Sequence, residues 1–327
     1  MYSPSIRVIY ILLSLIVFPV SACNPLEDPV FEEIIYINQD QEVQTGNQHD
    51  DEPNVQAQII VKTHQIMTLQ DNTNPHSQGG DCWGDYFFQF SKNNAVIRIY
   101  NLKDKELIQK FIHKNNGGGF VSNCHCNSVC FGSEYYEEGD EFPLLYVSTG
   151  YGNNGYTGAL VYRITKEKGL FSFSLVQTLR FPVLKSSWTE FIPAGNVCYV
   201  CYTSDYIVYK MPMPSVHDGD VIIDGSKGAL EVFQFPPQPQ IMKNSRNQGR
   251  LYYKGKIVLT SGVPGSREAS VLVVLDLETR TYEHIFDFFD MGLNTESESI
   301  FFWRDRLCVA FDDQIVSFEF DPDILAQ

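Results

Sequence analysis

Five times along this chain, a short polar motif is followed by a succession of Val-, Ile-, Tyr- and Phe-rich runs. The runs are separated by Gly, Asn, Asp or Pro, and that repetition constrains the fold more than any other feature. The polar motifs are Gln78-Gly79-Gly80, His125-Cys126-Asn127-Ser128, Trp188-Thr189-Glu190, Asn247-Gln248-Gly249 and Glu296-Ser297-Glu298-Ser299. Between them stand runs with strand character, such as Tyr86 to Phe90, Ala95 to Tyr100, Val197 to Tyr202, Val271 to Leu275 and Arg306 to Phe311. No stretch of this region has the periodicity of an amphipathic helix. Self-similar units of about 40 to 65 residues point to four-stranded blades stacked around an axis. A β-sandwich would space its strands more evenly and without a recurring polar start. The expected fold is all-β, a propeller of five blades.

The last unit tests that reading. It supplies three strands, Ser299 to Trp303, Leu307 to Phe311 and Ile315 to Phe320, before the chain ends. Ile59 to Thr63 and Gln65 to Leu69 come too early for the first unit. They are therefore expected to complete the last blade and close the ring, removing the exposed sheet edges that invite aggregation. An N-terminal strand capping some other edge is the alternative.

On three of these motifs the chain resembles bacterial five-bladed propellers. They are Gln78-Gly79-Gly80, His125-x-Asn127-Ser128 followed by Phe142 to Ser148, and Glu296-x-Glu298-Ser299 ahead of an apolar strand. It is similar in style to propeller lipoproteins and to receptor-binding propellers of phage tails, several of which recognise sugars. The resemblance implies a fold and suggests ligand binding without fixing an activity. Cys126 and Cys130 depart from it, standing where small residues or Ser would serve. So does an insertion from Ser215 to Gln240, which lengthens the third unit.

The N-terminal region carries an address. Arg7 precedes an apolar run from Val8 to Val20, and Ser21-Ala22 then lead to Cys23. The run, about 13 residues, is too short to cross roughly 30 Å of hydrocarbon as a helix, so an export signal is expected. Val20-Ser21-Ala22-Cys23 resembles a bacterial lipobox, which implies lipid on the Cys23 thiol and a membrane partnership through that anchor. The expected location is the cell envelope, as an outer-membrane lipoprotein. Residues 24 to 58 are acidic and rich in Gln and Asn, with no Lys or Arg before Lys62, and read as a tether. The expected organisation is thus a signal peptide at 1–22, a tether at 23–57 and a propeller at 58–327.

In a propeller the innermost strand of every blade starts near one mouth of the central channel, so the polar motifs should share a rim. The candidate ligand-binding residues are Gln78, Trp83, His125, Asn127, Trp188, Glu190, Gln248, Glu296 and Glu298. Amides, an imidazole, carboxylates and indole faces together suit a polyhydroxylated ligand, most directly a glycan. The same groups could instead satisfy one another inside the channel. A glycosidase built on paired carboxylates from Asp81, Glu190, Glu296 and Glu298 is the enzymatic alternative. A docking partner in the envelope is a third.

Other motifs are discounted. Gly150-x-Gly152-x-x-Gly155 fits a dinucleotide fingerprint, yet a strand rather than a helix is expected after it. Cys124, Cys126 and Cys130 with His125, and Cys198 with Cys201, have zinc-like spacings, but strand alternation turns them to opposite faces. Acidic turn residues form no calcium loop, so neither a metal nor a cofactor is expected. Apart from Cys23 the cysteines are odd in number. Cys82, Cys198 and Cys308 read as small apolar core residues, with one disulfide from the 124–130 cluster left open. A formal charge of −16 argues against nucleic acid as a partner.

Overall fold

The computed structural model describes residues 61–69, 77–91, 96–112, 126, 128–149, 156–182, 189–202, 207–236, 247–262 and 270–319. All lie within one compact unit, Phe31–Gln327. The signal segment, the tether and Cys23 lie outside the described residues. So do His125, Asn127 and Trp188.

Strand β1 (Lys62–Thr68) is followed by five groups. Blade 1 comprises β2 (Ser77–Trp83), β3 (Tyr86–Ser91), β4 (Val96–Asn101) and β5 (Glu106–Ile112). Blade 2 comprises β6 (Val129–Phe131), β7 (Leu145–Ser148), β8 (Tyr156–Glu167) and β9 (Leu170–Pro182). Blade 3 is built from β10 (Thr189–Ala194), β11 (Val197–Tyr202) and β12 (Ile207–Pro212), with β13 (Val221–Ile222) leaving it and β14 (Glu231–Gln234) completing it. Blade 4 contains β15 (Asn247–Tyr253), β16 (Lys256–Ser261), β17 (Val271–Asp276) and β18 (Tyr282–Asp287). Blade 5 contains β19 (Ser297–Trp303), β20 (Arg306–Phe311) and β21 (Gln314–Glu319). Its fourth strand is β1, antiparallel to β21 from Lys62 opposite Glu319 to Thr68 opposite Gln314. The ring therefore closes as expected, with the chain's early strand filling the last blade. Among the described residues the one helical element is a 3-10 turn at Val216–Asp218.

Strand alternation explains how the sheets stack. Successive side chains of a blade point to its two neighbours, and both faces are buried, so the strands read as unbroken apolar runs. In β20, Leu307, Val309 and Phe311 enter the cluster shared with blade 4, while Cys308 and Ala310 enter the one shared with blade 1. In β17, Val271, Val273 and Leu275 face blade 3 while Leu272 and Val274 face blade 5. Five such clusters, one between each pair of adjacent blades, make up the core. Each fully buried Leu, Ile or Phe in them contributes about 1.5–3 kcal/mol of transfer free energy.

Two details differ from the sequence reading. The insertion does more than lengthen the third unit: Val221 and Ile222 cross back and pair in parallel with Leu179 and Arg180 of β9, adding a fifth strand to blade 2. The strap is pinned by the Gln177 amide, which donates to the carbonyls of Ser215 (2.8 Å) and Gly219 (2.7 Å), and by Asp220, which accepts from the Thr178 N–H at 2.8 Å. The described cysteines, Cys82, Cys126, Cys130, Cys198, Cys201 and Cys308, are all buried and joined in no disulfide, so the 124–130 cluster contributes none through Cys126 or Cys130. As alternation requires, Cys198 and Cys201 belong to clusters on opposite faces of blade 3.

Candidate channel-mouth site

The inner strands β2, β10, β15 and β19 begin with Ser77, Thr189, Asn247 and Ser297, and Ser128 stands just ahead of β6. Three of them are bulged at once. The register of β2 against β3 shifts between Ser77 and Gly80, that of β15 between Asn247 and Arg250, and that of β19 between Ser297 and Ser299. A bulge leaves one residue out of the ladder and re-aims its side chain. Here the residues released are those around Gln78, Gln248 and Glu298. Strand β10 keeps a regular register through Glu190, opposite Cys201.

What the bulges release, the neighbouring blade receives. The Gln78 amide donates to Glu298 Oε1 at 3.0 Å and to the Ser77 carbonyl at 2.8 Å, joining blade 1 to blade 5. Ser299 Oγ adds a bond to the Gln78 carbonyl at 3.1 Å. The Gln248 amide donates to Glu296 Oε1 at 2.6 Å, joining blade 4 to blade 5. Between blades 3 and 4, Arg250 forms an ion pair through Nε with Glu190 Oε2, the two side chains being 6% and 1% exposed. Burial pushes the Glu190 carboxyl above its ordinary range, against the pull of the guanidinium. Gly249 has no room for a side chain, because a Cβ there would stand 2.7 Å from the Ser299 Cα and the Ile300 nitrogen. Glycine thus lets β15 approach β19.

Farther down the channel Cys130 Sγ donates to the Arg250 carbonyl at 3.0 Å. Blades 2 and 4 are not neighbours in the ring, so this contact links their inner strands β6 and β15 directly. Burial raises the Cys130 thiol pKa and keeps it a donor. Asp81, half-buried, accepts from the backbone N–H of Cys82 at 2.7 Å and of Phe131 at 2.6 Å. Its pKa is nonetheless pushed up to about 7 by burial, which outweighs those two donors.

The structure therefore gathers Gln78, Glu298, Gln248, Glu296 and Glu190 into one run of inter-blade contacts over blades 1, 5, 4 and 3. Trp83 is not part of it. It ends β2, about 20 Å of strand away from Ser77, with its ring against Phe131 (5.8 Å between centroids) and Tyr135 (6.5 Å) at the opposite face of the ring. The sequence reading missed Arg250 and Ser77. Arg250 left a signal, since a cation standing just ahead of Leu251 in an inner strand needs a buried counter-charge.

The mouth has oxygens to spare. Gln78 Oε1, Gln248 Oε1 and Glu190 Oε1, with the hydroxyls of Ser77, Thr189 and Ser297, are buried and have no hydrogen-bond partner among the described residues. Native proteins leave few buried polar atoms unpaired without a ligand, water or ion to meet them. Among the described residues no group of His, Cys, Asp and Glu is arranged to hold a metal ion.

No protein-family profile matches this chain, and no curated protein matches its sequence. Among solved structures, the glutaminyl cyclase of Myxococcus xanthus superposes with a TM-score of 0.47 at 12% identity, over 79% of this chain and 96% of that one. A streptogramin B lyase superposes with a TM-score of 0.45 at 11% identity, over 80% of this chain and 98% of that one. These scores are too low to bear on chemistry. The assignment as a five-bladed β-propeller rests on the five sheets and the β1–β21 closure themselves.

Proposed function

We propose that this propeller is a binding module that takes a polyhydroxylated ligand, a glycan, at the channel mouth, and that lipid on Cys23 holds it at the cell envelope. The observation that carries the reading is the set of buried, partnerless oxygens at the starts of the inner strands. Sugar hydroxyls both donate and accept, so they can pair with carbonyl, carboxylate and hydroxyl oxygens alike. Hydrolysis is the weaker reading. Glu190 is committed to Arg250, Glu296 to Gln248 and Glu298 to Gln78, whereas a glycosidase needs two carboxyl groups free to face one scissile bond.

A glycan array with the purified protein tests the binding half. Retention of a defined glycan class, reduced by substituting Gln78 or Gln248, is expected. Glycan cleavage abolished by Glu190→Gln would move the protein to the hydrolases, and an empty array would end the reading. The anchor is tested separately. Metabolic labelling with an alkyne fatty acid should mark the wild-type chain and leave Cys23→Ala unlabelled.

A further inference from the structure

The mouth is selective in one chemical sense, because the spare valences of its amide and carboxylate side chains are all acceptors. Both N–H donors of Gln78 are spent, on Glu298 Oε1 and on the Ser77 carbonyl. Gln248 spends its own on Glu296 Oε1 and, at 3.5 Å, on the Gly262 carbonyl. Neither amide can be flipped, since a flip would set Oε1 against a carboxylate and leave the NH₂ facing away from it. Each Gln therefore has only its carbonyl oxygen left to offer. Glu190 contributes another acceptor, Oε1, while Oε2 faces Arg250. The residues carrying these three oxygens are 5%, 2% and 1% exposed.

Resting on the glycan reading of this site, we propose that the mouth selects ligands carrying a protonated primary amine, an amino sugar in preference to a neutral or N-acylated one. The ammonium is received by the acceptor oxygens of Gln78, Gln248 and Glu190. A primary ammonium supplies three donors and no acceptor, the complement of what the mouth presents. An acetamide offers one N–H, adds an acceptor and brings no charge. The hydroxyls of Ser77, Thr189 and Ser297 can turn either way and serve the remaining ring oxygens.

The test uses the full-length chain and disaccharides of one backbone geometry: deacetylated chitobiose, its N-acetylated form, cellobiose, and a derivative of the first with trimethylated nitrogens. Titration calorimetry is run at low and high salt. The amine form is expected to bind at least roughly tenfold tighter than the acetylated form and cellobiose, equivalent to about 1.4 kcal/mol. The trimethylated form, which keeps the charge and loses the N–H donors, should bind like cellobiose. Because that comparison is made on the wild-type chain, it holds even if Gln78→Leu or Gln248→Leu fails to fold. Where they fold, each should weaken the amine form several-fold and leave cellobiose little changed. Equal affinity for the trimethylated form would overturn the proposal, as would equal or tighter binding of the acetylated form. In both cases the glycan reading survives, and binding of none of the four overturns both.

Discussion

Glu190 and Arg250 show how a single pair ties a blade interface to the mouth. Both charges are almost wholly out of water, and removing one partner strands the other. Arg250→Met should therefore cost about 3–5 kcal/mol in urea unfolding, while the double substitution Glu190→Leu with Arg250→Met should cost clearly less. Equal losses would show that the pair contributes nothing as a pair. Asp81 supplies a pH signature. Its folded pKa of about 7 stands above an unfolded value of about 3.9, so its stabilising contribution is complete below pH ~3.9 and is lost as pH rises through 7. Melting temperatures of wild type and Asp81→Asn measured between about pH 4 and pH 8 should therefore diverge in slope, with the wild type losing more as pH rises. Parallel curves would place the carboxyl in ordinary solvent. Asp276 runs in the opposite sense. Burial would raise it, but the Thr279 N–H and the Lys256 ammonium outweigh that and hold it well below the carboxylate range, so its contribution is lost as pH falls below about 4.

At the scale of strands, what was legible in the sequence was whatever depended on local pattern. Apolar runs such as Val271 to Leu275 announce a strand because both of its faces must be buried, and the missing fourth strand of the last unit announced β1. Residues whose role depends on a contact from another blade were harder to read. Strand β13 is only Val221–Ile222, and nothing in two residues tells that they pair with β9 of the previous blade. Arg250 and Glu190 are linked between adjacent blades whose spacing the sequence does not lay out. Trp83 was misplaced because period-2 reasoning gives the face of a strand but not which end of β2 an aromatic crowns. The β1 closure makes a prediction of its own. Removing residues 61–69 exposes the β21 edge from Gln314 to Glu319 and takes Ile66, Met67 and Leu69 from the cluster between blades 5 and 1. The shortened chain should aggregate or melt at a markedly lower temperature in light-scattering and calorimetric scans. A shortened chain that melted like the whole would place the closure elsewhere.

For the molecule as a whole, the ring has two unlike faces. At one, the starts of the inner strands gather amides, carboxylates and hydroxyls. At the other, inner-strand ends and the hairpins after them carry aromatic rings: Trp83 beside Tyr135, Tyr252 stacked on Tyr199 at 5.8 Å, and Tyr253 against Phe302 at 4.7 Å. The aromatic face could also stack sugars, so the account stands on which face a ligand meets. The direct measurement is a two-dimensional ¹H–¹⁵N titration of the protein with a glycan retained on the array, following the side-chain amides of Gln78 and Gln248 together with the indole N–H of Trp83 and Trp303. The account predicts shifts in the two glutamine amides with both indoles unmoved. Shifts confined to Trp83 and Trp303 would contradict it and move the binding site to the opposite face of the ring.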